Sequence, residues 1–132
     1  MYQKVIIVGN LGRDPELRYT PQGVPVVNFS VATNRRWTCA DGSPGEETAW
    51  FRVTAWRRTA ETCAQYLTKG RQVLVEGRLN PDPQTGGPRV WTGNDGVARA
   101  SYEVTALAVR FLGGRGVPSE QAGPIEEEEI PF

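Results

Sequence analysis

The segment Thr48-Ala49-Trp50-Phe51-Arg52-Val53-Thr54-Ala55-Trp56 decides how the rest of the chain is read. Successive side chains of a strand point to opposite faces. Phe51, Val53 and Ala55 therefore make one apolar face, and Trp50, Arg52, Thr54 and Trp56 make the other. The first face suits a core. The second places two indoles around a guanidinium, which a merely solvated sheet face has no structural reason to carry. The segment reads as a half-buried strand with a ligand surface on its outside.

Upstream, residues 26–34 alternate in the same way, with Val27, Phe29 and Val31 opposite Asn28, Ser30, Ala32 and Asn34. Between the two strands, Asp41-Gly42-Ser43-Pro44-Gly45 is a cluster of turn formers. Residues 35–47 are therefore expected to form a long hairpin loop with Arg35, Arg36 and Trp37 at its base. Residues 4–11 are rich in β-branched side chains and run into Gly12-Arg13-Asp14-Pro15, a strand followed by a turn. Gly9 and Gly12 do not complete a dinucleotide fingerprint, because the third glycine is missing and Pro15 falls where the helix would begin. Thr20-Pro21-Gln22-Gly23 is a further turn.

Downstream the period changes. Ala60, Cys63, Ala64 and Leu67 predict a short amphipathic helix over 58–69, with Lys69 in its last turn and Gly70 at its C-terminus. Residues 72–79 alternate again, with Val73, Val75 and Leu79 inward, and residues 81–96 read as a second long loop carrying Trp91. Residues 99–111 are the last strand, with Thr105, Leu107, Val109 and Phe111 on one face. Gly9 and Gly77 are expected where strands coil or bulge. Three strands, a helix and two strands predict an all-β chain: a five-stranded antiparallel OB-fold barrel with one short helix between strands three and four.

Composition bounds the chemistry. At 132 residues the chain has room for one domain. A mean hydropathy of −0.44 and the lack of a long apolar run argue against a transmembrane helix. There is no His, so His-dependent triads, His-ligated zinc and a His general base are excluded within one chain. Cys39 and Cys63 lack Cys-x-x-Cys spacing, so neither metal nor cofactor is expected, and two reduced thiols are the simplest state. The apolar run Val5-Ile6-Ile7-Val8 is too short for a signal peptide, which points to the cytoplasm.

The zero net charge is a sum of opposites. Residues 1–112 hold 14 of the 15 Lys and Arg but 10 of the 15 Asp and Glu, a net of +4, and residues 113–132 carry one Arg and five Glu, a net of −4. A mildly basic body is expected over 1–112 and a flexible Gly/Pro linker over 113–125, where too little apolar surface exists to offset ordering entropy. An acidic tip follows: Glu126, Glu127, Glu128, Glu129, Ile130, Pro131 and Phe132. Proline before a terminal aromatic lowers the ordering cost of an anchor, which suits docking into a partner's pocket.

In the body, Trp37, Trp50, Trp56 and Trp91 are interleaved with Arg35, Arg36, Arg52, Arg58, Arg78 and Arg89, with Lys4 and Arg18 as further cations. Unpaired bases stack on indoles, contributing about 1–3 kcal/mol per base, while cations follow the phosphates. That combination points to single-stranded nucleic acid and away from an enzyme, since no nucleophile–base pair or phosphate loop is present.

The strings Lys4-Val5-Ile6-Ile7-Val8-Gly9-Asn10-Leu11-Gly12-Arg13-Asp14-Pro15-Glu16, Thr48-Ala49-Trp50-Phe51-Arg52-Val53, Tyr66-Leu67-Thr68-Lys69-Gly70, Val75-Glu76-Gly77-Arg78-Leu79 and the Glu-Glu-Ile-Pro-Phe ending resemble the bacterial single-stranded DNA-binding proteins. The resemblance implies a nucleoid-associated homotetramer that binds single strands with little sequence preference. It also implies that the tip recruits replication, repair and recombination enzymes. Trp37, Trp50 and Trp91 match that family's stacking tryptophans, and Trp56 stands where the family has a stacking phenylalanine. Phe51 occupies a position where some members have a His near the subunit interface. The alternatives are an OB-fold RNA chaperone and a replication-restart accessory protein; the acidic tip argues against the second.

Overall fold

The computed structural model describes residues 1–113. Among them, seven strands and one helix follow in the order β1 (Val5–Leu11), β2 (Glu16–Tyr19), β3 (Pro25–Thr38), β4 (Pro44–Trp56), α1 (Arg57–Tyr66), β5 (Gln72–Leu79), β6 (Arg89–Thr92) and β7 (Ala98–Leu112). Five of them close a barrel. The order β1-β5-β7-β4-β3 returns to β1 through Asn10↔Ala32 and Leu11↔Val31. The seam between β4 and β7, from Phe51↔Tyr102 to Thr54↔Thr105, is parallel, while the other seams are antiparallel. A parallel pair needs a crossover connection, which α1 and β5 supply.

The alternation of β3 and β4 puts Val27, Phe29, Val31, Val53 and Ala55 inside, as their spacing requires. Ile7 and Leu11 of β1, Val73 and Val75 of β5, and Val104 and Ala106 of β7 complete the wall, and α1 adds Ala60 and Cys63, with Leu67 just beyond it. Each fully buried Val or Phe contributes about 1.5–3 kcal/mol relative to exposure. Gly9 and Gly77 allow the closure: a Cβ at Gly9 would strike the Ala32 carbonyl oxygen, and one at Gly77 the Thr105 carbonyl oxygen. Arg57 has φ 58 and turns the chain abruptly from β4 into α1.

Several elements depart from the pattern read in the sequence, each for a local reason. The β5–β7 register passes from Glu76↔Ala108 to Gly77↔Ala106, so Leu107 is an extra, unpaired residue. Such a bulge reverses the parity of a strand. Val104 and Ala106 face inward before it, Val109 and Phe111 pack against the core after it, and Leu107 is 63% exposed. Thr105 and Leu107 are thus not on the inward face. Leu79 also lies outside the core, because β5 runs on past the buried layer.

The helix ends at Tyr66 instead of reaching Lys69, and the Leu67 N–H donates to the Cys63 carbonyl. Gly70, with φ 89, belongs to the following turn, closed by the Arg71 N–H on the Thr68 carbonyl. Residues 35–47 are mostly paired backbone: β3 and β4 continue from Asn34↔Thr48 to Thr38↔Pro44 as a projecting two-stranded arm. Its turn is held by the Cys39 N–H on the Ser43 carbonyl at 2.7 Å. A ribbon wet on both faces has no hydrophobic alternation to reveal it. The expected loop over 81–96 contains β6, paired with β7, and the short β2 pairs with β3.

Candidate nucleic-acid interface

Along the outer face of β4 the pairing is Ala32↔Trp50, Ser30↔Arg52, Asn28↔Thr54 and Val26↔Trp56. The small partner Ala32 leaves the Trp50 indole uncovered, at 52% exposed, and Trp56, opposite Val26 at the end of the strand, is 45% exposed. Six residues of strand separate them by about 20 Å. Thr54 Oγ1 donates to Asn28 Oδ1 at 2.8 Å and ties the two strands together between the rings. Trp50 lies over the backbone of Gly12, where a Cβ would come within 2.6 Å of the indole Cζ3. Glycine at this point is a platform: its missing side chain lets the ring lie down.

Trp37 is arranged differently. Opposite residues of a ladder share a face, so Trp37↔Gly45 and Arg35↔Glu47 occupy the side of the arm continuous with Phe29 and Phe51, the reverse of the Trp50 face. Its indole lies against Gly45, where a Cβ would strike the ring, and the Arg35 guanidinium sits 4.7 Å from the ring centroid. Trp91, on β6, has the Arg89 guanidinium 5.7 Å from its ring. Trp37 and Trp91 are both more than a third exposed. The fold thus brings Trp50, Arg52 and Trp56 onto one face and leaves Trp37 and Trp91 on two separate ribbons.

The cations divide sharply. Arg35 pairs with Glu47 at 3.0 Å, Arg36 with Glu46 at 3.9 Å, Lys4 with Glu76 at 3.2 Å, Arg18 with Glu16 at 3.5 Å and Arg89 with Glu103 at 3.6 Å. The hydrogen bond to Glu76 raises the Lys4 pKa, which keeps its ammonium charged. Arg52, Arg58 and Arg78 make no ion pair among the described residues. Exposed ion pairs of this kind hold by about 0–1 kcal/mol, so a phosphate can displace the carboxylate. The expected tip residues 126–132 and the linker beyond Gly113 lie outside the described residues.

The model of the single-strand binding protein family matches residues 2–112. This chain belongs to that family. Curated relatives include a single-stranded DNA-binding protein of Neisseria meningitidis serogroup A, 44% identical over 124 residues that cover 94% of this chain and 67% of the relative. The single-stranded DNA-binding protein of Wolinella succinogenes is 44% identical over 116 residues, covering 88% of this chain and 67% of the relative. Among solved structures, the Plasmodium falciparum single-strand binding protein in complex with single-stranded DNA superposes with a TM-score of 0.68 at 25% identity. That match covers 85% of this chain and 96% of the other.

Membership of the single-strand binding family accounts for the barrel. Gly12 and Gly45, the seats of two indoles, were not singled out as site residues in the sequence. The pairing of Arg35 and Arg36 with Glu47 and Glu46 was also missed, although a hairpin folded about Asp41 puts each carboxylate opposite its guanidinium. Phe51 is half-buried, its ring 5.6 Å from that of Tyr102.

Proposed function

We propose that this protein binds single-stranded DNA with little sequence preference, stacking bases on Trp50 and Trp56 and, on the flanking ribbons, on Trp37 and Trp91. The observation that carries this is the outer face of β4, where two half-exposed indoles bracket Arg52, a cation with no ion pair among the described residues. Bases offer every indole a π-face whatever their identity, so such a surface is tolerant of sequence, and duplex DNA keeps those faces hidden. Arg52, Arg58 and Arg78 meet phosphates directly; Lys4, Arg35, Arg36 and Arg89 do so by exchanging a carboxylate for a phosphate, and Arg18 adds its charge while remaining beside Glu16. The protein works as a binder and not as a catalyst.

In this proposal the barrel over 1–112 is the DNA-binding body and assembles as a homotetramer. Residues 113–125 tether residues 126–132, which recruit enzymes of replication, repair and recombination while the body protects the strand. The composition supports this division, since the basic and acidic charge is segregated along the chain. Titration with oligo-dT tests the core of it. Indole fluorescence falls to saturation, a matched duplex does not compete, and log affinity declines against log salt by about 0.7 per phosphate contacted. Equal affinity for duplex and single strand contradicts the proposal. Removing residues 130–132 is expected to abolish partner capture and leave oligo-dT affinity intact; a molar mass from light scattering tests the tetramer.

A further inference from the structure

A second cation stands beside the Trp50 face. Gly12, over which the Trp50 indole lies, donates its N–H to the Ser30 carbonyl at 3.0 Å, and Ser30 is the ladder partner of Arg52. The next residue, Arg13, is thereby brought to the edge of the same surface. The residue after it, Asp14, accepts the Lys69 N–H at 2.8 Å, so the short segment carrying Arg13 is pinned on both sides. Arg13 and Arg52 line one open cleft of about 210 Å³ with Glu16, Asn28, Phe29 and Ser30. Neither guanidinium makes an ion pair among the described residues.

The lining is rich in donors. Asn28 Oδ1 is occupied by Thr54, which turns the amide NH₂ to other use, and the Ser30 hydroxyl adds another donor. The one carboxylate that lines the cleft, Glu16, lies 3.5 Å from the Arg18 guanidinium, which offsets its charge. Two fork-shaped guanidiniums, an amide and a hydroxyl lining one cleft supply donors for the oxygens of a tetrahedral monoanion. We infer that Arg13 and Arg52 together grip one backbone phosphate of the strand whose base stacks on Trp50. This rests on the single-strand binding proposed above and adds to it a residue, Arg13, and a fixed phosphate register next to a fixed base. Because the segment is pinned beforehand, little ordering is lost when the phosphate arrives.

The test is a cycle of Arg13→Gln, Arg52→Gln and the double variant in the full chain, titrated with oligo-dT across a range of NaCl. Each single variant is expected to weaken binding severalfold at low salt while keeping the saturating indole quench. In the double variant the loss departs from the product of the two single losses. Its log–log salt slope shrinks by about 0.7, the value for one phosphate. Wild-type affinity in the Arg13→Gln variant overturns the assignment, as does a double variant whose losses multiply and whose slope shrinks by about 1.4, the value for two separate phosphates. A thermal melt of the Arg13→Gln variant guards against misfolding; the Arg13→Lys variant, which keeps the charge, recovers most of the slope. If the wild-type chain itself neither quenches nor responds to salt, it is the single-strand proposal that fails.

Discussion

The barrel wall and the arm that projects from it are built from the same two strands, and each carries tryptophan and arginine, with one cysteine behind the wall in α1 and another in the turn of the arm. On the wall, Trp50 lies on Gly12 and Arg52 has no ion pair among the described residues, and behind it Cys63, on the core side of α1, is fully buried. On the arm, Trp37 sits beside Arg35, Arg35 and Arg36 are already paired with glutamates, and Cys39 is half-buried in the turn. Identical residue types therefore stand in opposite states of readiness. Readiness comes from the layer behind a residue: the wall is backed by a core that fixes its side chains, whereas the arm has only its own ladder.

Thiol chemistry separates the two regions most widely. An alkylating reagent on the native protein is expected to modify Cys39 and to spare Cys63 by orders of magnitude in rate, with peptide mapping as the readout; equal rates would mean the wall opens as freely as the arm. Burial pushes the Cys63 thiol up to about 11 from 9.0. A raised folded pKa means that the stability it contributes is complete below pH 9 and is lost as pH rises toward 11. The loss across that window is about 2–3 kcal/mol at 1.36 kcal/mol per unit. Denaturant melts of wild type and Cys63→Ala at pH 8 and 11 measure it, the variant showing the shallower decline.

For DNA affinity the comparison predicts that Trp50→Ala costs about 1–3 kcal/mol with oligo-dT, the worth of one stacked base, and that Trp37→Ala costs less. Equal losses would break the distinction between wall and arm. Glu47→Gln frees Arg35 from its carboxylate and is expected to tighten binding by a few tenths of a kcal/mol, the size of an exposed pair. The same titration at high salt removes the gain.

The wall was legible in the sequence because one face of it is buried, and period-two alternation in residues 26–34 and 48–56 records that burial directly. Legibility failed wherever alternation is broken or has nothing to report. Leu107 inserts one residue and reverses parity, so a rule of spacing carried through it assigns the wrong face. The arm is solvated on both sides and looked like a loop. The seat of Trp50 on Gly12 joins residues distant in sequence, and no local pattern announces a contact made only when the barrel closes. The exposure of Trp50 and Trp56, by contrast, was readable, because they alternate with the inward-facing Phe51, Val53 and Ala55.

The rungs Arg35–Glu47 and Arg36–Glu46 have a kinetic consequence. In the proposed function, a strand arriving at the arm displaces an internal competitor, and that competitor remains tethered nearby at high local concentration. When thermal motion lifts one phosphate, the glutamate can recapture its arginine before the phosphate returns. Under the proposed binding, these rungs therefore favour release at the arm over release at the wall, where Arg52 has no such competitor among the described residues.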